Sequence, residues 1–460
     1  MNGWNRRGFL KLGLSGMMLP EFLALRAEAT DRQPKSGVHG FGSAKSCIVL
    51  FAWGGLSHLD TFDMKPNAPS NVRSRFKEIS TTVPGIRIGE HLPGFARMMK
   101  DWAIVRSAHH NAPSHRSGAY WNLTGHEPPN LSGNWPASRN DWPCIGSMVW
   151  EASGDGRGPI PGAVALPYTL YDGGVANGQD GGFLGLRRDP IVLRPTGKNL
   201  REYSGKSPTS GRVDLDLPEG LDAGRLNGRR SLMRNLEAGV SQVGKLESAA
   251  VIRSRERALD MLLSPKARNA FDLEKESAKT REHYGLHVCG QSVLTARRLV
   301  EAGVPIATVY CAAGDLNGSK GDHFDTHADN FNRLKNNMLP PLDQAASALI
   351  ADLKSRGLLD ETLVVLLTEF GRTPKINGAA GRDHFPDCYS VAYAGAGIRG
   401  GQVYGKSDSM GAKPAERGCG PADLHATIFH ALGIDPAHLI MDRDSRPLPL
   451  CDGKPLPLFG

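Results

Sequence analysis

Five short apolar runs punctuate the chain: Cys47–Trp53, Trp102–Ala108, Val304–Tyr310, Thr362–Glu369 and Ser390–Ile398. They are rich in β-branched and aromatic residues and are continuous rather than alternating. That pattern predicts buried strands of a mostly parallel sheet sandwiched between helices, an α/β fold. Helical patterns fall between them, at 91–101, 288–303, 330–360 (interrupted by Pro340-Pro341) and 421–434. Residues 126–217 have another character, with Gly, Pro, Asn and Asp turn chemistry throughout, and 219–283 switch to a charged, Leu-spaced helical pattern. The stretch 126–285 therefore reads as a loop-rich and helical insertion capping one edge of the sheet, within a single domain over 45–460.

The chain has 460 residues, 40% hydrophobic and 22% charged, which is an ordinary globular composition with length enough for a large core. Its formal charge of +8 is spread out. Basic stretches such as Arg73–Lys77 and Arg253–Arg257 are short and lie on helix-like segments, so they predict solvated faces and no nucleic-acid partner. The N-terminus is more specific. Arg6-Arg7 precede Phe9-Leu10-Lys11 and a weakly apolar stretch to about Leu25, with small residues before a cleavage point after Ala29. Residues 1–29 thus resemble a twin-arginine signal peptide, which makes the twin-arginine translocase a partner during export and the periplasm or extracellular space the destination. The run is too short for a membrane span, and no later segment predicts a stable transmembrane anchor. Seven scattered cysteines form no C-x-x-C motif and give no case for a zinc–thiolate site.

Ligands of open α/β sheets gather beyond the carboxyl ends of the strands. After the first run come His58, Asp60 and Asp63; after the second, His109, His110, Ser114, His115 and Arg116. After the third come Asp315, Asp322, His323, Asp325 and His327; after the fourth, Glu369, Arg372, Asp383 and His384. A single histidine at a strand end is usually a satisfied polar group, but four successive ends carry imidazole or carboxylate. That mixture suits a divalent metal: zinc first, then manganese or iron, with calcium a poorer match because it takes nearly all-oxygen ligands. Two readings stay open at this point, a shared metal site or a polar network capping the sheet.

The segments "GGLSHLDTFDMKPNAP", "VPGIRIGEHLP", "AIVRSAHH", "HRSGAYWNLTG", "FDTHADNFNRL", "LTEFGRTPKIN" and "GRDHFPDCYSVAYAGAGIRGG" carry a resemblance to the domain of unknown function 1501 family, within the alkaline-phosphatase-like superfamily of phosphatases and sulfatases. The resemblance implies an alkaline-phosphatase-like core and an exported, metal-dependent hydrolase of phosphate or sulfate esters, acting on a small-molecule or carbohydrate ester. It maps Asp325, His327 and His384 to one metal and Glu369 to the Asp of an Asp-His pair whose imidazole position is Phe370. The superfamily's first metal-binding Asp falls at Gly54 or Gly55, so His58 or Asp60 would have to reach back from the following loop. The nucleophile register falls on His115, which as a histidine is open to the role of nucleophile, general base or ligand, with Ser114 and Ser117 beside it. Arg116 and Arg372 are candidates to clamp an oxyanion, or equally to pair with strand-end carboxylates. These departures also fit a non-catalytic binding or assembly protein that keeps the fold and one structural metal. A phosphate-shifting mutase is a third reading, with "YDGGVANGQDGGFLG" as its pocket lining or as an ordinary surface loop.

Overall fold

Phe51, the last residue of strand β1 (Ser46–Phe51), lies level with Tyr310 on one side and Leu367 on the other. Those two residues end β5 (Ile306–Tyr310) and β6 (Thr362–Leu367), so three carboxyl ends finish side by side and their loops share one rim. The remaining strands are β2 (Trp102–Ala108), β3 (Ala163–Leu166), β4 (Ile191–Val192), β7 (Tyr389–Ala394) and β8 (Gln402–Tyr404). They complete an eight-stranded sheet ordered β8-β2-β7-β6-β1-β5-β3-β4. The computed structural model describes residues 39–460 except 134, 155–159, 194–221, 241–248, 313 and 318–321. The predicted export signal lies outside these residues. No helix among them is long and apolar enough to cross a membrane.

All five apolar runs form strands, and every residue of β1, β5, β6 and β7 is buried. One runs against the rest: β7 pairs antiparallel with both β6 and β2. A parallel return would need a crossover, whereas the loop after β6 simply reverses. The stretch expected to be turns alone contributes β3 and β4, which extend the sheet in parallel beyond β5.

Helix α1 (His115–Thr124) starts after Ser114, which is extended, and stops at Gly125, whose φ of 76° closes the helix in the left-handed region. Helix α2 (Ile145–Ser153) packs on β3 and β5; α3 (Val288–Glu301) packs on β1, β5 and α4 (Leu339–Ser355). Pro340-Pro341 do not break α4. They occupy its first turn, where a missing N–H costs no helix bond, and a π-turn at Leu334–Met338 leads into it.

Candidate metal centre

The turn after β1 determines what surrounds it. Gly54 has φ +111°, and a Cβ there would lie 2.4 Å from the Asp325 amide nitrogen and 2.7 Å from that of Phe324. Only glycine fits, and its absence of side chain lets the loop after β5 lie directly on the turn. The Gly54 amide donates to Glu369 Oε1 at 2.7 Å. Glu369, two residues past β6, is fully buried. Its carboxylate therefore ends an apolar strand in order to receive a neighbouring backbone and, as follows, a histidine.

His115, Asp325, His327 and His384 each bring one donor atom to a common point, all within 4.8 Å of one another. His115 opens α1; Asp325 and His327 come from the loop after β5. His384 comes from a two-residue antiparallel ladder, where it pairs with Arg372. The Nε2 atoms of His115, His327 and His384 lie 3.2, 3.0 and 3.2 Å from Asp325 Oδ1. His327 Nε2 is also 3.0 Å from His384 Nε2. Each ring's other nitrogen has an acceptor: Glu369 Oε1 at 2.8 Å for His115, Asp383 Oδ1 at 2.7 Å for His327, and the Pro113 carbonyl at 2.8 Å for His384. With every Nδ1 donating, the neutral rings present three Nε2 lone pairs to one carboxylate oxygen. The fixed cation touching that oxygen is Arg372, at 2.6 Å, and the buried His115 Nε2 has no well-aligned hydrogen-bond partner. The four donors form a set able to hold a metal ion.

The proton affinities reflect the same geometry. Burial disfavours a charged His115, yet the Asp325 and Glu369 carboxylates beside its two nitrogens outweigh it and raise the pKa. The bond to Asp325 likewise raises that of His327. Burial dominates at His384 and lowers it to about 4. Burial opposes ionisation of Asp325 too, but the three imidazoles and Arg372 hold its pKa well below the usual carboxylate range. A bound metal would replace the protons that His115 and His327 otherwise attract. The donor set suits one: N–metal distances of about 2.0–2.1 Å place tetrahedral ligands about 3.3 Å apart, close to the 3.0–3.2 Å of four donor pairs within a set spanning up to 4.8 Å, and three imidazoles with one carboxylate are a transition-metal set, not a calcium one.

Phe370 packs against both inner rings, its centroid 5.0 Å from that of His115 and 4.8 Å from that of His384. Trp53 sits edge-on to His115 at 5.5 Å. Arg372 is fully buried and gives Nη2 to Asp325 Oδ1 at 2.6 Å and to the Gly54 carbonyl, Nε to the Gly55 carbonyl at 3.2 Å and Nη1 to the Arg382 carbonyl at 3.2 Å.

Residues 44–457 match the family described as Protein of unknown function (DUF1501). The chain belongs to that family. No curated protein matches it. Among solved structures it is similar to an alkaline phosphatase superfamily protein from Vibrio parahaemolyticus, at 10% identity and TM-score 0.36, covering 91% of this chain and 76% of that one. It is also similar to a sulfatase from Pseudoalteromonas sp. (12%, TM-score 0.35, 96% and 76% covered) and to a phosphonate monoester hydrolase from Silicibacter pomeroyi (14%, TM-score 0.35, 90% and 76% covered). Overlaps of this size are likenesses of layout only.

In this DUF1501 protein, then, Asp325, His327 and His384 come together as a donor set. His115, whose role stood open between nucleophile, general base and ligand, joins them as a donor, and Glu369, expected as a ligand, stands behind His115. His58 and Asp60 are not brought to the cluster. His58 is buried with Nε2 at 2.8 Å from the Gly411 carbonyl. Asp60 is buried in an ion pair with Arg382 at 2.8 Å and accepts from Ser57 Oγ and Asn330 Nδ2 at 2.6 and 3.0 Å. The register of a strand-end loop allowed both to reach back; the buried guanidinium of Arg382 takes Asp60 instead. Arg116 donates to the Val175 carbonyl at 2.9 Å, and the Ser114 hydroxyl faces Gly133. Arg372 pairs with Asp325 rather than presenting a free fork. Asp383 stands among the strand-end residues without an expected role, and here it holds His327; the Pro113 carbonyl carries no sequence signal.

Proposed function

We propose that this protein is an exported, metal-dependent hydrolase of phosphate or sulfate esters, with zinc as the metal held by His115, Asp325, His327 and His384. The convergence of three Nδ1-anchored imidazoles on one carboxylate oxygen carries the reading. Zinc in such a site supplies Lewis acidity toward an ester oxygen. The chain's own residues do the rest. Glu369 and Asp383 fix the tautomers and aim of His115 and His327, while Arg372 keeps Asp325 anionic. Phe370 and Trp53 close the inner side to water. The outer side is open: the His327 side chain is 47% exposed and that of Asp383 is 51% exposed, whereas His115 is buried. A small-molecule or carbohydrate ester would enter past His327. Nearby hydroxyls are committed elsewhere, Ser117 to the Ser114 and Leu131 carbonyls at 3.0 and 2.7 Å and Thr326 to Asn330 at 2.6 Å. Water is therefore favoured as the attacking group over Ser117 and Thr326. The Arg6-Arg7 segment supports passage through the twin-arginine translocase to the periplasm.

The test is metal analysis of purified protein together with hydrolysis of p-nitrophenyl phosphate, bis(p-nitrophenyl) phosphate and p-nitrophenyl sulfate. Wild type should hold a transition metal and cleave at least one, and His327→Ala and His384→Ala should lose both properties. Bound metal without cleavage of any ester would favour the binding-protein reading, which Gly54 and Phe370 at superfamily ligand positions support. Full metal in both variants would remove the site itself.

A further inference from the structure

A second cavity, of about 260 Å³, lies at the carboxyl ends of β3, β4 and β5, where Ala165, Val192 and Tyr310 form part of its wall. That is the ligand-binding end of an open α/β sheet. Asn177 lines it and is 1% exposed. Its amide nitrogen faces Asp141 Oδ2 at 3.4 Å, which leaves Oδ1 buried with no hydrogen-bond partner. A buried amide oxygen in that state costs on the order of 1–3 kcal/mol unless something donates to it. Among the described residues, Asp141, Asp180 and Asp189 share the cavity lining with one cation, Arg139. Arg139 is already engaged by both oxygens of Asp189, at 2.6 and 2.9 Å. The lining is thus rich in acceptors and net negative, so it repels phosphate and sulfate groups. It is also no metal cage. Among the described residues only the His115 cluster brings three or more acidic, thiol or imidazole donors to one point. Tyr168 and Tyr310 back this lining and are 0% and 3% exposed. Acceptors spread around a cavity of this size match a ring of hydroxyl donors.

We propose that this cavity binds a neutral sugar ring, of hexopyranose size, with a ring hydroxyl donating to Asn177 Oδ1 and others to the carboxylates of Asp141 and Asp180. The site is distinct from the metal cluster and stands whether or not the cluster is catalytic. Its structural link to the cluster is α1: Arg116 of that helix holds the Val175 carbonyl, and Gly178 packs against Tyr120 and Thr124.

Saturation-transfer NMR and calorimetry on the full chain with methyl β-D-galactopyranoside, methyl α-D-glucopyranoside, methyl α-D-mannopyranoside and L-fucose test it. At least one should bind saturably. Asn177→Ala and Asp180→Asn should each weaken that binding about tenfold, as loss of one hydrogen bond predicts, with metal content and thermal unfolding at wild-type values. Asp180 has a 40% exposed side chain, so Asp180→Asn decides the matter if Asn177→Ala does not fold. Binding of none of the four sugars, or equal binding by wild type and Asp180→Asn, overturns the proposal. So does calcium binding that Asp180→Asn abolishes, which would make this a cation site.

Discussion

Replacing Glu369 by glutamine separates a residue that aims a ligand from one that is a ligand. Glu369 Oε1 receives two N–H groups, from Gly54 at 2.7 Å and from His115 Nδ1 at 2.8 Å, and Thr368 Oγ1 lies 3.3 Å from Oε2. The glutamine carbonyl can keep both N–H bonds while its amide group faces the threonine hydroxyl, so shape and tautomer survive. What disappears is the negative charge behind His115, and with it the basicity that Nε2 owes to a charge-assisted bond. Loss of such an outer partner lowers metal affinity about 10–100-fold, or about 1.4–2.7 kcal/mol. Competition for zinc against a chromophoric chelator would measure it, with thermal unfolding of chelated protein as the folding control. Glu369→Ala should behave differently, because it also strands the buried Gly54 N–H at a cost of about 1–3 kcal/mol. Wild-type zinc affinity in Glu369→Gln would refute the positioning role. A fall beyond about a thousandfold would mean that Glu369 binds the metal directly.

Asp60→Ala leaves the Arg382 guanidinium buried without its carboxylate and should destabilise the fold by about 3–5 kcal/mol in chemical denaturation. Metal per folded molecule should be unchanged, and a selective loss of metal would place Asp60 back among the ligands. Gly54→Ala drives a methyl group into the Phe324–Asp325 backbone at a strained φ and should cost about 2–6 kcal/mol, with lowered zinc affinity in whatever still folds. Burial lowers the pKa values of His110, His126 and His425 to about 4. The unfolded chain takes up these protons near pH 6.5 and the folded one only near 4, so stability should fall as pH drops through that window, by on the order of 3 kcal/mol per histidine at most. An unfolding free energy that is flat between pH 7 and 4.5 would contradict this.

The strands were legible because both sheet faces are covered, which turns buried strands into unbroken apolar runs. Direction was not: periodicity is the same for a strand running either way, so the reversal of β7 left no mark in its composition. β3 and β4 escaped notice because Ala163–Leu166 and Ile191–Val192 are short and sit among turn residues, where only pairing with β5 and with each other makes them strands. The rim of the sheet was readable as chemistry, since imidazoles and carboxylates at consecutive strand ends have few other uses. Roles within the rim were less so. His115 and Glu369 are 254 residues apart, and Asp60 and Arg382 are 322 apart. Neither pairing has a local signal, and the partner of His384 is a backbone carbonyl, which no side-chain identity can announce.

The same rim argues for one cation rather than two. A second metal beside the first would need donors where this chain has Gly54, Phe370 and Arg372. At Gly54 there is no space for a side chain of any kind. The Phe370 ring lies against His115 and His384, so an imidazole's place is taken by an apolar face that offers no lone pair. The position beside Asp325 already holds positive charge, because the Arg372 guanidinium is fixed there by Asp325 itself and by the carbonyls of Gly54, Gly55 and Arg382. Burial lowers the pKa of Arg372, and the neighbouring carboxylates, Asp325 foremost, oppose that fall. A cation entering this space would have to displace a buried guanidinium from four acceptors and leave it unpaired, a cost of several kcal/mol. Arg372 thus holds Asp325 ionised and aimed, and if the cluster binds zinc as proposed, Arg372→Met should weaken that binding in competition with a chromophoric chelator; unchanged affinity would contradict this role.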